Sequence, residues 1–454
     1  MKHLFKILTV IMILLVCSSS SFALNVSKLD KLVTKSDLNQ TSVVAVSVKN
    51  AENGSDVYSY NELKLLHPAS VLKIFTAYSA LEELGYDYNF KTQFYKDKQN
   101  NLYIKLGADP MLTTAKLKQA FQKLKADGVT QVNNLYIDDS IIDKKEFSQG
   151  WMWDDDVNPS TPKVSAYNLD GNVLNIDLVK NSNGSVEVNM KPNYSTAVKT
   201  DVEFNQKLNY INVERYNWLS PEIIEINGYT TSAKNFKVPI SSMRRYFIYN
   251  TQKILSDTKF VVKGTRFASK NVPSDAVMVG EITNPITSTL PYILQNSNNL
   301  MAETVFKLAA GKKYNTTGTD DIAAVMFNDY YKNLGMKNDG IIIKDGCGVS
   351  RNNLFTADWI TSALSKLYKD ADFSKFKENM AQPGDGTLGS RMFDLRGNAW
   401  LKTGSLSNVS TIAGYVHSQD GHTYSVSVLI QNFNVQQQDV KSFEDEIINL
   451  IYNR

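Results

Sequence analysis

Ser70 and Lys73 stand three residues apart in "HPASVLKIFTAYSALEELG", His67 to Gly85. Residues at that spacing share a helix face, so the lysine amine can reach the serine hydroxyl and act as its base. Pro68 suits a first helical turn and Gly85 the far end, while Leu72, Phe75, Leu81 and Leu84 give an apolar stripe. A serine at a helix start also meets the positive end of the helix dipole, which favours an alkoxide-like oxygen. An ordinary amphipathic helix carries the same pattern, and the chain holds three more Ser-x-x-Lys matches, Ser160/Lys163, Ser256/Lys259 and Ser374/Lys377. The first runs through Pro162 in loop-like composition, and the other two lie beside Asp257 and Lys375. Ser70 is the best placed of the four.

Two further motifs matter. Lys402-Thr403-Gly404 is the sole Lys-Thr-Gly in the chain; it follows a short apolar run and precedes a strand-like one. Its lysine offers a cation to a carboxylate, and its glycine allows close approach of substrate to backbone. Alone, such a tripeptide is more often a turn. Ser297 and Asn299, in "NSNNLMAETVF", precede a helical pattern, although Ser-x-Asn recurs at Ser59 and Ser350.

The elements that must position these residues are legible at both ends of the chain. "TSVVAVSVKN" and "SDVYSYN" flank "AENG", and "VSTIAGYVHS" and "TYSVSVLIQN" flank "QDGH"; both read as hairpins. Val440, Phe443, Ile447 and Leu450 fall at helical spacing. Terminal strands, a closing helix and an early helix at 69–84 predict an antiparallel-rich α/β layer. Between them, "QFYKDKQNNLYI" reads as a hairpin and "TTAKLKQAFQKLKADG" as a helix capped by Thr113 or Thr114. Residues 165–241 alternate in strand-like pieces rich in Asn, Val and Ile, a β-rich insert. A length of 454 residues suggests two or three domains, with the ends of the chain forming one of them around the middle.

Ser-x-x-Lys, Ser-x-Asn and Lys-Thr-Gly occur here in the order and contexts required by the serine acyltransferases that react with penicillin. "LGADPMLTTAKLKQAFQKLKADGVTQVNNLYIDDSIID" and "GWMWDDDVNPSTPKVSAYNLDGNVL" resemble the inserted region of the type-4 penicillin-binding proteins. "KDGCGVSRNNLFT" and "MAQPGDGTLGSRM" resemble stretches between that family's second and third motifs. The resemblance covers most of the mature chain. It implies an α/β fold: a β-lactamase/DD-transpeptidase-like catalytic domain, an antiparallel sheet flanked by helices, with a large β-rich two-part insertion. The expected catalytic domain spans 24–89 and 278–454, with an inserted domain at 90–164 and 242–277 and a nested β-rich one at 165–241.

The resemblance also implies roles in a D-alanyl-D-alanine carboxypeptidase or endopeptidase acting on peptidoglycan stem peptides, with β-lactams as covalent inhibitors. Ser70 would attack the carbonyl between the two D-alanines, and Lys73, needing a neutral amine, would take its proton; burial and a cation such as Lys402 act in that direction. Ser297 would relay a proton to the leaving amine, and Asn299 would hydrogen-bond the peptide or Lys73. Lys402 and Thr403 would hold the terminal carboxylate beside Gly404. The N–H groups of Ser70 and Ser405 would form the oxyanion hole, where one lost donor costs ~3 kcal/mol. Asp155 of "WMWDDD" aligns best with an acidic residue that meets the diaminopimelate amine, with Asp154 and Asp156 adjacent and a plain solvated loop as the other reading. Cys347 stands where the family usually has serine. A β-lactamase is opposed by the 223 residues between Lys73 and Ser297, and a non-catalytic peptidoglycan-binding scaffold by the three intact motifs.

Lys2 and Lys6, the uncharged run Ile7 to Val16 and "SSSSFA" predict an export signal cleaved after Ala23, and hence a periplasmic or extracytoplasmic protein. This ten-residue run, in which only Thr9 is polar, falls short of the ~20 that span a bilayer; Cys17 offers lipid attachment as an alternative. Without residues 1–23 the formal charge drops from +3 to +1, which argues against nucleic acid as a partner and leaves peripheral membrane or cell-wall association open. One cysteine would remain, so no internal disulfide forms. Four histidines and that cysteine make zinc improbable, and the chemistry calls for no cofactor.

Overall fold

The computed structural model describes residues 26–182, 185–192, 194, 198–215 and 223–454; the expected export signal lies outside them. The chain divides into two compact units. Of the described residues, the first takes in those up to Ser79, Leu290–Ser297 and Ala324–Arg454; the second takes in Ala80–Thr289 and Asn298–Ala323.

The first unit is built on a five-stranded antiparallel sheet. Its strands are β1 (Val43–Asn50), β2 (Asp56–Tyr60), β3 (Ala399–Leu406), β4 (Val409–His417) and β5 (Thr423–Gln431), in the order β3-β4-β5-β1-β2. The two predicted hairpins are β1–β2 and β4–β5, and β1 pairs with β5 from Val43↔Gln431 to Asn50↔Tyr424. The ends of the chain therefore share one sheet. Strands β4 and β5 are buried along almost their whole length, as expected when both faces of a sheet are covered. On one face Val440, Phe443, Ile447, Ile448 and Ile451 of the closing helix join Val46, Ile412, Val428 and Ile430 in one apolar cluster. On the other, Ala357–Leu367 is attached by buried polar pairs: Ser47 with Thr361 at 2.7 Å, Ser365 with Ser425 at 2.8 Å, and the Tyr415 hydroxyl donating to Leu364 O at 2.7 Å.

The helix that carries Lys73 is α1 (Leu72–Leu84), continuous with a 3-10 turn at Ala69–Val71. It is apolar around most of its circumference, and its residues from Val71 to Leu81 are buried. Phe75 packs edge-on against Trp359 and Tyr331. Such a helix has little freedom to shift, and its polar side chains are fixed with it.

In the second unit, Arg266–Ser269, Leu135–Asp138, Leu102–Lys105, Asn89–Lys96 and Val277–Pro285 form a mixed five-stranded sheet in that order. The helix Thr114–Ala126 starts where Thr113 accepts from Lys116 N at 3.2 Å, and it buries Phe121 against Phe94 and Phe260. Two three-stranded sheets fill Val173–Pro239, and their strands alternate between more and less buried positions. Helix α2 (Asn299–Tyr314) is also in this unit. Among the described residues no helix is long and apolar enough to cross a membrane.

Candidate active site

Ser70 follows a backbone held in an uncommon shape. Ala69 has φ 45°, a left-handed conformation that L side chains rarely adopt. The surroundings impose it. A Cβ on Gly348 would overlap Ala69 O, and one on Gly404 would lie 2.8 Å from the Ser70 nitrogen and 2.9 Å from Ala69 Cβ. Two glycines thus let neighbouring segments close on the Ala69–Ser70 peptide. Thr411 Oγ1 adds a 3.0 Å hydrogen bond to Pro68 O.

Lys73 is fully buried, and its Nζ donates to Ser70 Oγ at 2.8 Å and to Cys347 O at 2.6 Å. The turn that presents Cys347 O is fixed by the buried Asp345 carboxylate, which accepts from Gly348 N at 2.8 Å, Ser350 N at 2.6 Å and Asn353 Nδ2 at 2.7 Å. Lys402 is equally buried; its Nζ donates to Ser297 Oγ at 2.9 Å and to Thr403 O at 2.8 Å. Burial first, and then repulsion from Lys73, push the Lys402 amine well below the ordinary lysine range. Two ammoniums in one buried site disfavour being charged together, which is how a lysine becomes available as a base near neutral pH.

Ser297 also has a left-handed backbone, φ 60°. It joins Leu290–Leu294 to α2, where Asn298 caps by accepting from Met301 N at 2.9 Å. The corner turns the Ser297 hydroxyl to Lys402, and the preceding residues are held by Thr387 N, which donates to Gln295 O at 3.0 Å.

Lys402, Thr403, Gly404 and Ser405 lie inside β3, at the edge of the sheet, paired with β4 through Lys402↔Ala413 and Ser405↔Ser410. The motif was expected to precede a strand; instead Gly404 is a strand residue, because the approach to Ser70 demands it. Leu401 N donates off the outer edge to Ala381 O at 2.8 Å. Alternation along a strand then directs the main chain of Thr403 and Ser405 off the same edge, where an extended peptide can pair.

Asn299 opens α2, buried, with its Nδ2 donating to Ser160 O at 2.7 Å. Asp155 belongs to the second unit. It is half-exposed and accepts from Met152 N at 2.9 Å, capping a short 3-10 turn. Its neighbour Asp156 is buried against Arg215 at 3.1 Å and Lys163 at 3.5 Å, a structural ion pair, and Asp154 is exposed. The remaining Ser-x-x-Lys lysines are accounted for elsewhere: Lys163 in that pair, Lys259 at a helix end, Lys377 over the Trp400 ring at 4.0 Å. Cys347 is buried, its thiol donating to Asp345 Oδ2 at 3.5 Å. His67 pairs through Nδ1 with Asn353 O at 3.1 Å, and burial lowers its pKa. Sequence reasoning passed over the Cys347 carbonyl, the Gly348 wedge and Thr387, whose hydroxyl accepts from Thr403 Oγ1 at 2.7 Å. The glycines around Thr387 were the available signal.

A serine hydroxyl paired with a buried lysine rather than a histidine, beside an antiparallel sheet flanked by helices, matches the β-lactamase/DD-transpeptidase-like architecture of the serine acyltransferases. The profile of the D-Ala-D-Ala carboxypeptidase 3 (S13) family matches residues 25–453, and the chain belongs to that family. It is accordingly a serine-type D-alanyl-D-alanine carboxypeptidase. Similar proteins include the D-alanyl-D-alanine carboxypeptidase DacB of Haemophilus influenzae, 24% identical over 92% of this chain and 94% of that one. A D-alanyl-D-alanine carboxypeptidase of Actinomadura sp. is 26% identical over 84% of this chain and 76% of its own. The crystal structure of penicillin binding protein 4 (dacB) from H. influenzae has the same fold, with TM-score 0.84, 22% identity, and coverage of 95% of this chain and 100% of that one. That protein has also been solved with a β-lactam bound, at TM-score 0.79.

Proposed function

We propose that Ser70 Oγ attacks the carbonyl between the two D-alanines of a peptidoglycan stem peptide and forms an acyl-enzyme. Lys73, as the neutral amine, takes the hydroxyl proton. The N–H groups of Ser70 and Ser405 receive the developing oxyanion. Lys402, charged, and the Thr403 hydroxyl hold the terminal carboxylate, and Ser297, hydrogen-bonded to Lys402, relays the proton taken up by Lys73 to the departing amine, receiving one as it gives one and leaving Lys73 neutral again. Asn299 hydrogen-bonds the peptide. Water then attacks the ester, giving a proton to the neutral Lys73 amine, which returns it to Ser70 Oγ as the shortened peptide leaves. The same steps open a cross-link when the departing amine belongs to a second stem.

The observation that carries this reading is the 2.8 Å hydrogen bond from buried Lys73 to Ser70, in a site where a second buried lysine disfavours protonation. Asp155 meets the diaminopimelate amine in this reading: a carboxylate that caps one N–H keeps lone pairs for a cation. A β-lactam enters as a stem-peptide mimic and remains as a stable ester on Ser70. The work takes place outside the cytoplasmic membrane, where the export signal would deliver the chain.

The test is intact mass after brief exposure to benzylpenicillin, followed in time, for the native protein and Ser70→Ala. A persistent adduct mapping to Ser70 and missing from the variant is expected. Rapid adduct loss with antibiotic turnover would point to a β-lactamase, and no adduct on folded protein would sink the acyl-enzyme.

A further inference from the structure

Thr387 sits in "PGDGTLGS", a turn with more anchoring than an exposed loop needs. Its N–H donates to Gln295 O at 3.0 Å, two residues before Ser297, and the space beside Gly386 is closed to any side chain by the same carbonyl. Gly384 N donates to Leu388 O at 3.0 Å, and Leu388 is buried. Arg396 clamps both oxygens of Asp385, at 3.0 and 3.2 Å, and donates to Pro383 O at 3.2 Å. The turn begins just after Ala381, which covers the outer edge of β3 at Leu401, and it ends by placing Thr387 against Thr403. All of this fixes one exposed hydroxyl 2.7 Å from the Thr403 hydroxyl, on the strand that carries Lys402.

A hydroxyl has a single proton to donate. Thr403 directs its own to Thr387, and the Thr387 proton has no protein acceptor among the described residues. Two hydroxyls side by side, next to a buried cation, match the two oxygens of a carboxylate; each exchanges a neutral hydrogen bond, or none, for a charge-assisted one. We infer that Thr387 is a second hydroxyl donor for the substrate's terminal carboxylate, acting beside Thr403. This rests on the reading of Lys402 and Thr403 as the carboxylate clamp. It adds a specificity residue from a segment outside the three motifs.

The test compares acylation by benzylpenicillin and by its methyl ester, which has the same reactive amide without the carboxylate charge, in native protein, Thr387→Val and Thr387→Ser. For Thr387→Val the acylation rate constant with the free acid is expected to fall about 10-fold or more, that with the ester to stay within about twofold, and Thr387→Ser to recover most of the loss. Equal falls with acid and ester would reduce Thr387 to support of the turn and overturn the assignment, as would an unchanged rate with the acid. If native protein is acylated by neither compound, the acyl-enzyme reading fails first and this assignment with it. A selective failure of Thr387→Val leaves that reading standing.

Discussion

Two lysines, one in each unit, are buried to the same degree and serve opposite ends. Lys402 meets hydroxyl and carbonyl oxygens only, and no carboxylate lies at ion-pair distance among the described residues. Lys307, on α2, meets Asp143 at 2.9 Å and Asp320 at 3.2 Å. Burial alone would push the Lys307 ammonium down, but the charges of Asp320 and Asp143 outweigh it and hold it above its ordinary value. Burial pushes Asp320 up at the same time; Asp143, more open to water, secures the ion pair. Burial by itself therefore does not poise an amine for chemistry. The acceptors around it decide, and Lys402 is left with neutral acceptors where Lys307 has carboxylates.

The sharpest test of that contrast exchanges each lysine for methionine. Lys402→Met should lower the benzylpenicillin acylation rate by about 100- to 1,000-fold while leaving Tm unchanged or higher, because a desolvated charge without a counter-ion is gone. Lys307→Met should cost about 3–5 kcal/mol in urea unfolding, since it takes the buried counter-ion from Asp143 and Asp320. Comparable destabilisation by both changes would erase the distinction.

The two lysines should also respond oppositely to pH. The folded pKa of Lys402 lies below the unfolded 10.5, so the folded chain binds fewer protons in that interval, and its contribution to stability rises with pH toward 10.5. Lys307 is raised; its contribution is complete below 10.5 and is lost above it. In acylation, the alkaline limb set by loss of the Lys402 charge should fall below 10.5 and move upward in Lys402→Arg. A limb at the ordinary lysine value in native protein would contradict the depressed amine.

A smaller effect is expected from Gly404→Ala, whose methyl meets Thr411 Oγ1 and the Ser70 nitrogen: a loss of about 1–3 kcal/mol and slower acylation, measured on the same preparation. Smallest of all is Cys347→Ser. The hydroxyl can replace the thiol toward Asp345, and Lys73 uses the main-chain carbonyl, so Tm and acylation should hardly move, with a stability change under about 1.5 kcal/mol.

The parts of this molecule written in local chemistry were legible beforehand. Asn-Gly in one turn and Asp-Gly in the other marked the β1–β2 and β4–β5 hairpins, Thr113 marked a helix start, and Val440 with Phe443 and Ile447 marked a buried face. What escaped is set by distant segments. Nothing about Ala69 or Ser297 signals a left-handed backbone; Gly348, more than 270 positions further on, closes on Ala69. Lys-Thr-Gly read as the prelude to a strand because glycine is a poor strand former, yet packing against Ser70 overrides propensity. Thr387 was visible only as a residue in a glycine-rich turn, since its partner Thr403 is sixteen positions away.

The open edge of β3 has a further consequence, for behaviour in concentrated solution. A sheet edge that can receive a substrate strand can equally receive a strand from another molecule. Here Ala381 closes the row at Leu401 and the turn into β4 ends it after Leu406. With Thr403 O also taken by Lys402 Nζ, the stretch left between Leu401 and Leu406 is too short to template a sheet, and concentrated solutions should stay free of edge-to-edge association.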